Sequence, residues 1–135
     1  DAEAIIVIDK QLVLFSKDRE NLNTDLYLVD KFEKAAQKLT SEFDFKVNSL
    51  ITGGDYKNEL NLLALVSYNS KGNQYLILFE RFDLENLEEN TFKKYKIPLE
   101  RAQIESIKII DKNTFWVTSE DEGIGNPFMY KLKVK

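Results

Sequence analysis

Strand-length runs of β-branched and aromatic residues, separated by short polar turns, constrain the fold of this chain more than any other feature. The turns, such as Ser70–Asn73 and Asp111–Asn113, are rich in Asp, Asn, Lys, Ser and Gly. The runs cover residues 4–8, 11–16, 25–29, 47–52, 61–68, 74–82, 92–97, 104–110, 114–119 and 128–134. Runs of this length and composition are typical of strands, and such short turns join antiparallel neighbours. The sequence therefore predicts an all-β antiparallel meander.

The runs also recur with a period of about 50 residues. In each copy a first strand carries an acidic residue, a second strand ends in a serine, and a third strand carries a tyrosine. The acidic residues are Glu3, Asp55 and Glu105, the serines are Ser16, Ser67 and Ser119, and the tyrosines are Tyr27, Tyr75 and Tyr130. Four-stranded units that repeat at this period are typical of β-propeller blades.

The repeat predicts about 2.7 four-stranded antiparallel β-propeller blades and an incomplete ring. The predicted units are a blade at residues 1–46, a blade at 47–102 and a partial blade at 103–135, together forming a single domain over 1–135. A β-sandwich or barrel with evenly spaced strands is the alternative, because so degenerate a repeat can arise by chance. Since a propeller holds four to eight blades, we expect this chain alone not to close the ring.

Two segments depart from the strand pattern. Phe32, Ala35, Ala36 and Leu39 have the i, i+3, i+4, i+7 spacing of an amphipathic helix. Leu84–Glu89 has two leucines among acidic residues and predicts a single helical turn within a loop.

Charge and the missing residue types exclude several classes of function. The chain has 19 basic and 23 acidic residues and a net charge of −4, and its scattered lysines form no stripe of the kind that binds nucleic acid. Because it has no cysteine and no histidine, thiol nucleophiles, imidazole bases and Cys/His zinc sites are excluded. Its apolar runs are far shorter than the roughly 20 residues of a membrane span. No catalytic residues are predicted.

The repeated acidic residues are the candidate site. If Glu3, Asp55 and Glu105 lie on corresponding innermost strands, they line a central channel, where three carboxylates could hold Ca²⁺. The alternative is structural, with each carboxylate accepting hydrogen bonds from backbone amides at the start of a blade. The residues after the three repeated serines, namely Lys17, Tyr68 and Glu120, differ in charge. A repeated catalytic group would be constant, so these three predict a diversified surface for ligand contacts.

Four segments resemble one known family. They are Asp1-Ala2-Glu3-Ala4, Ile51-Thr52-Gly53-Gly54-Asp55-Tyr56, Gln103-Ile104-Glu105-Ser106-Ile107, and Phe115-Trp116-Val117-Thr118-Ser119-Glu120 with Met129-Tyr130-Lys131-Leu132. The chain resembles the last blades of the secreted or lipid-anchored six-bladed β-propellers of Bacteroidetes, related to the phytase-like and SdiA-regulated propellers. Ser106 and Lys108 stand where that family usually has Gly and Ala. The resemblance also implies that Phe32–Asp44 supplies the outer strand of the first blade.

The resemblance implies a non-catalytic binding or scaffold module of an extracellular, periplasmic or outer-membrane-associated protein. The alternative is part of a phytase-like or esterase-like Ca²⁺-dependent hydrolase whose remaining active site lies in other blades. The expected partners are the missing blades of a parent chain or a second copy of this chain, because uncapped repeats expose apolar faces. Phe15 and Tyr27 in the first blade and Trp116 and Tyr130 in the last are the expected members of those faces.

Overall fold

A computed structural model describes residues 1–99, 102–121 and 127–135, and the fold is all-β. The strands are β1 Ala2–Ile8, β2 Gln11–Ser16, β3 Thr24–Asp30, β4 Phe43–Phe45, β5 Leu50–Lys57, β6 Leu62–Tyr68, β7 Gln74–Glu80, β8 Lys93–Ile97, β9 Gln103–Asp111, β10 Thr114–Glu120 and β11 Met129–Lys133. Over these residues the only helical elements are 3₁₀ turns at Asn58–Leu60 and Leu87–Glu89. The prediction of an all-β antiparallel fold is confirmed.

The strands form three separate antiparallel sheets, none of which closes on itself over the described residues. The first sheet has the order β1-β2-β3-β4, the second has β5-β6-β7-β8, and the third has β11-β10-β9. Within each sheet the strands pair in sequence order, and two-residue turns join β1 to β2 and β9 to β10. Nowhere in the described ranges is there a helix long and apolar enough to cross a membrane.

The second sheet lies between the other two and is apolar on both faces. Leu63 and Leu65 pack against the first sheet, with Phe15 and Phe79 in the same cluster. Ala64 and Val66 point the other way and pack against the third sheet. This is why β6 is a continuous apolar run instead of an alternating one. Burying each large side chain of these two layers contributes roughly 1.5–3 kcal/mol.

The first strands of the three sheets lie side by side, with β5 between β1 and β9. Two glycines within β5 make this approach possible. A Cβ added to Gly53 would lie 2.7 Å from the backbone oxygen of Glu105, and one added to Gly54 would lie 3.4 Å from the Cβ of Ala4. Both glycines lie inside β5, which begins at Leu50, and they are needed where its neighbours come close.

Neither the helical spacing from Phe32 to Leu39 nor the outer strand implied from Phe32 onwards leads to regular structure before Phe43. These residues have no regular structure, and Phe32 is 67% exposed. Side-chain acceptors cap local backbone amides instead: Asp30 accepts from the amide of Phe32, and Glu33 accepts from that of Ala35. The outer strand of the first sheet is only the three residues of β4. The turn predicted over 84–89 is confirmed as the 3₁₀ turn.

The exposed apolar residues of the outer sheets differ from those expected. Phe15 is fully buried and Tyr130 packs against a core cluster, because both lie on the faces turned towards the second sheet. The open face of β1 instead carries Ile5 and Val7, which are 60% and 50% exposed. Trp116 is exposed on the open face of the third sheet, as expected.

Candidate functional site

Each first strand carries a β-bulge at the same point of the repeat. In every sheet one extra residue interrupts the pairing, next to the residue that faces the repeated serine of the second strand. The bulged residues are Glu3, Thr52 and Glu105, and the serines are Ser16, Ser67 and Ser119. A bulge re-aims the side chain that it carries. The repeat therefore presents three differently substituted bulges at equivalent places.

The residue after each serine adds a second set of equivalent positions, occupied by Lys17, Tyr68 and Glu120. Contacts between the two sets define one site, which we call the bulge cluster: Glu3, Lys17, Tyr68, Glu105 and Glu120. It combines residues that the sequence placed in two separate groups.

Lys17 is the most deeply buried charge of the bulge cluster. Its side chain is only 6% exposed, and its Nζ lies 3.5 Å from Glu3 Oε1. The same Nζ stands 5.5 Å from the centre of the Tyr68 ring, within range of a cation–π interaction. An ammonium buried this far requires compensating charge, and Glu3 supplies it.

Glu105 is the acidic side chain most affected by its surroundings. Burial raises the pKa of its carboxyl above the usual glutamate value, and a hydrogen bond from Gln103 opposes that rise. Glu120 and Glu3 raise the pKa further, whereas Lys17 lowers it. The three carboxylates and the lysine therefore form one interacting set.

Asp55 does not belong to this set, so its alignment with the two glutamates is wrong. Asp55 lies three residues after the bulged residue of its strand, Thr52. The equivalent positions in the other first strands are Ile6 and Lys108, which lie three residues after the bulges there. Its carboxylate accepts a hydrogen bond of 2.8 Å from the amide of Ile109 and lies 3.5 Å from Lys108 Nζ. Asp55 thus ties β5 to β9, which is the structural role weighed for it from the sequence.

Thr52 takes the place that had been given to Asp55. Its hydroxyl donates a hydrogen bond to the backbone oxygen of Ile104, so the middle bulge joins the second sheet to the third. The sequence does not point to Thr52, because a threonine does not match the acidic pattern of Glu3 and Glu105.

The bulge cluster does not fit a calcium site. Lys17 already supplies the positive charge beside Glu3, and Asp55 is held elsewhere. Among the residues that the structure describes, no group of three acidic side chains is arranged to hold a metal ion.

Comparison with known proteins assigns the chain to no family. No family model matches the sequence, and no solved structure matches it. An HTH-type transcriptional regulator Hpr of Bacillus mycoides is 31% identical over 87 residues, which are 58% of this chain and 46% of that protein. The chain thus spans less than half of that regulator, and the described ranges contain no α-helix.

Proposed function

We propose that the three sheets are consecutive blades of a β-propeller and that the chain is a non-catalytic binding or scaffold module. The observation that carries this proposal is the shared register: each sheet has the same bulge opposite the same serine. The first strands also lie side by side in sequence order, as inner strands do around a common axis. The bulge cluster then lies where successive blades meet and forms the recognition surface.

The extracellular or envelope-associated location follows from the resemblance to the Bacteroidetes propellers. The same resemblance makes further blades, or a second copy of the chain, the partners of the two open sheet faces. Ile5 and Val7 on the open face of β1 support this, since exposed apolar patches mark surfaces that bind a partner.

Light scattering during gel filtration at micromolar concentration tests the partner proposal. We expect the chain to elute as a dimer or larger assembly, and the double variant Ile5→Glu/Val7→Glu to shift it towards 15.7 kDa. Phe32→Glu is the matched control, because Phe32 is 67% exposed but lies outside the sheets. A wild-type chain that is monomeric and thermally stable would contradict an open propeller face.

A hydrolase of the phytase-like or esterase-like class is the second candidate, and the charges argue against it. Stabilising a transferring phosphoryl group requires several free cations or a metal. In the bulge cluster Lys17 is engaged by Glu3, and nearby Arg19 lies 3.7 Å from Asp1 at the surface.

Thermal unfolding with Ca²⁺ and with chelator separates the two candidates. A bound ion would raise the Tm by mass action, and p-nitrophenyl phosphate or acetate would be turned over in a Ca²⁺-dependent way. We expect neither effect. A Ca²⁺-dependent rise in Tm that Glu105→Gln abolishes would favour the hydrolase, and Asp55→Asn is the control outside the bulge cluster.

A further inference from the structure

A crevice of about 420 Å³ opens between the second and third sheets, at the end of the sheets opposite the bulge cluster. One wall is formed by the start of β6 and the end of β7, and the other by the turn between β9 and β10. The residues that line it are Leu60, Leu62, Glu80, Arg81, Lys112 and Asn113. A crevice of this volume is large enough to hold a small molecule.

The two cations of the crevice are not balanced by the described protein. Neither Arg81 nor Lys112 forms an ion pair with a described carboxylate. Glu80 is the acidic residue in the lining, and its carboxylate is already paired with a lysine at 3.3 Å. The carboxylate of Asp111, which precedes Lys112 in the turn, accepts a hydrogen bond of 2.8 Å from the amide of Asn113. The crevice therefore presents two positive charges to whatever enters it.

Arg81 is placed differently from its equivalent in the first sheet. Lys31 and Arg81 each follow the residue that pairs with the first residue of the second strand. Lys31 Nζ donates a hydrogen bond of 3.3 Å to the backbone oxygen of Asp9, in the turn of its own sheet, whereas Arg81 lines the crevice. The backbone of Arg81 is left-handed, with a φ of 55°. This conformation is uncommon for a residue other than glycine, and such strain is concentrated at binding sites.

Two leucines supply the apolar part of the lining. Leu62 is buried, whereas Leu60 is exposed and offers an apolar contact to a ligand. A guanidinium group matches the planar geometry of a carboxylate. A phosphate monoester carries up to two negative charges, and Glu80 in the lining disfavours the second of them. The crevice therefore fits an apolar molecule with a single carboxylate better than a phosphate ester.

We propose that this crevice binds a small molecule that has a carboxylate on an apolar body. The carboxylate accepts hydrogen bonds from Arg81 and Lys112, and the apolar body covers Leu60. The inference rests on the crevice and its charges, so it does not require the three sheets to belong to a ring. It is also separate from the recognition surface proposed for the bulge cluster.

Titration of the full chain with hexanoate, followed by ¹H–¹⁵N NMR, tests the proposal. We expect saturable shifts of the amides of Leu60, Arg81 and Lys112, with a Kd on the order of 1–10 mM for so small a probe. Hexanamide, which is the neutral isostere, and acetate, which lacks the apolar body, should each bind at least about tenfold more weakly.

Variants of the two cations locate the carboxylate. Arg81→Gln and Lys112→Gln should each weaken hexanoate binding at least about fivefold. The remaining amide shifts of each variant report whether its fold is intact. Lys10→Gln is the matched control, because it removes the same charge from the turn between β1 and β2, and it should leave the Kd unchanged.

Several results would overturn the proposal. They are the absence of shifts in the crevice at about 20 mM hexanoate, equal binding by the wild type and both crevice variants, and binding of hexanamide as tight as that of hexanoate. Hexyl phosphate that binds more tightly than hexanoate would overturn the choice of a carboxylate. Shifts confined to the bulge cluster would overturn the location.

Discussion

Gly53→Ala is the substitution that most sharply tests how β5 and β9 pack. The added Cβ would lie 2.7 Å from the backbone oxygen of Glu105 and 3.2 Å from the Cα of Ser106. Both neighbours are main-chain atoms, which cannot rotate away. Since ordinary contact begins near 3.4 Å, the two strands would have to separate by several tenths of an ångström.

The size of the effect follows from two opposing terms. Overpacking against rigid neighbours costs roughly 1–3 kcal/mol. Replacing glycine by alanine within a strand returns roughly 0.5–1 kcal/mol, because the unfolded chain loses conformational freedom. The central values of the two terms leave a net loss, and we therefore expect Gly53→Ala to lower the free energy of unfolding by about 1 kcal/mol.

Gly54→Ala is the matched control. Its added Cβ would meet the Cδ2 of Leu65, the end of a flexible side chain, at 2.7 Å. That contact can relax by rotation, so the loss should be smaller than at Gly53. Urea unfolding followed by circular dichroism gives both values, with an unchanged m-value as the check that only stability moved. A Gly53→Ala chain as stable as the wild type would refute the close approach of β5 and β9.

Three further predictions concern charges that are buried or partly buried. Lys17→Met should cost about 1–3 kcal/mol, less than a fully buried pair because Glu3 is 27% exposed, and a double-mutant cycle with Glu3→Gln should recover part of the loss. Because the pKa of Glu105 is raised in the folded state, its stabilising contribution is present below pH 4.5 and is lost as the pH rises through the folded pKa. Glu105→Gln should therefore be more stable than the wild type at neutral pH. In unfolding titrations this difference in stability should shrink below pH 4.5. Lys94 donates a 2.7 Å hydrogen bond to the backbone oxygen of Val47, so Lys94→Met should lower the urea midpoint by the equivalent of about 1–3 kcal/mol, whereas an unchanged midpoint would contradict that contact.

The positions of the strands could be predicted from the sequence because the apolar pattern and the turn residues act locally. Gln11–Ser16 forms β2 as the sequence predicts. The three serines are also in register, since Ser16, Ser67 and Ser119 all face the residue just before a bulge. In the outer sheets their hydroxyls bind the chain on the other side of the second strand: Ser16 accepts from the amide of Asp25, and Ser119 accepts from that of Phe128.

The alignments of the acidic residues and of the tyrosines between the three repeats were wrong, because strand register does not follow from spacing along the sequence alone. The loop between the first and second strands has two residues in the first sheet, 9–10, but four in the second, 58–61, so near-equal spacing from the serine matched Asp55 to Glu3 although it lies three residues further along its strand. Tyr75 faces Ser67 itself, whereas Tyr27 and Tyr130 face residues two positions before their serines. The pairing of Lys17 with Glu3 was missed for a similar reason, because it depends on where the bulge directs the glutamate.

Spin-label distances between equivalent residues test the account most directly. Asp30, Glu80 and Lys133 face equivalent positions of the second strands and are all exposed. With no native cysteine, cysteine pairs at these residues can be labelled cleanly and measured by pulsed electron resonance in excess unlabelled protein. Equal rotations about one axis predict equal distances for 30–80 and 80–133, and a 30–133 distance longer by a factor of about 1.4–1.8 for four to eight blades. Clearly unequal neighbouring distances, or a 30–133 distance no longer than either, would contradict the propeller.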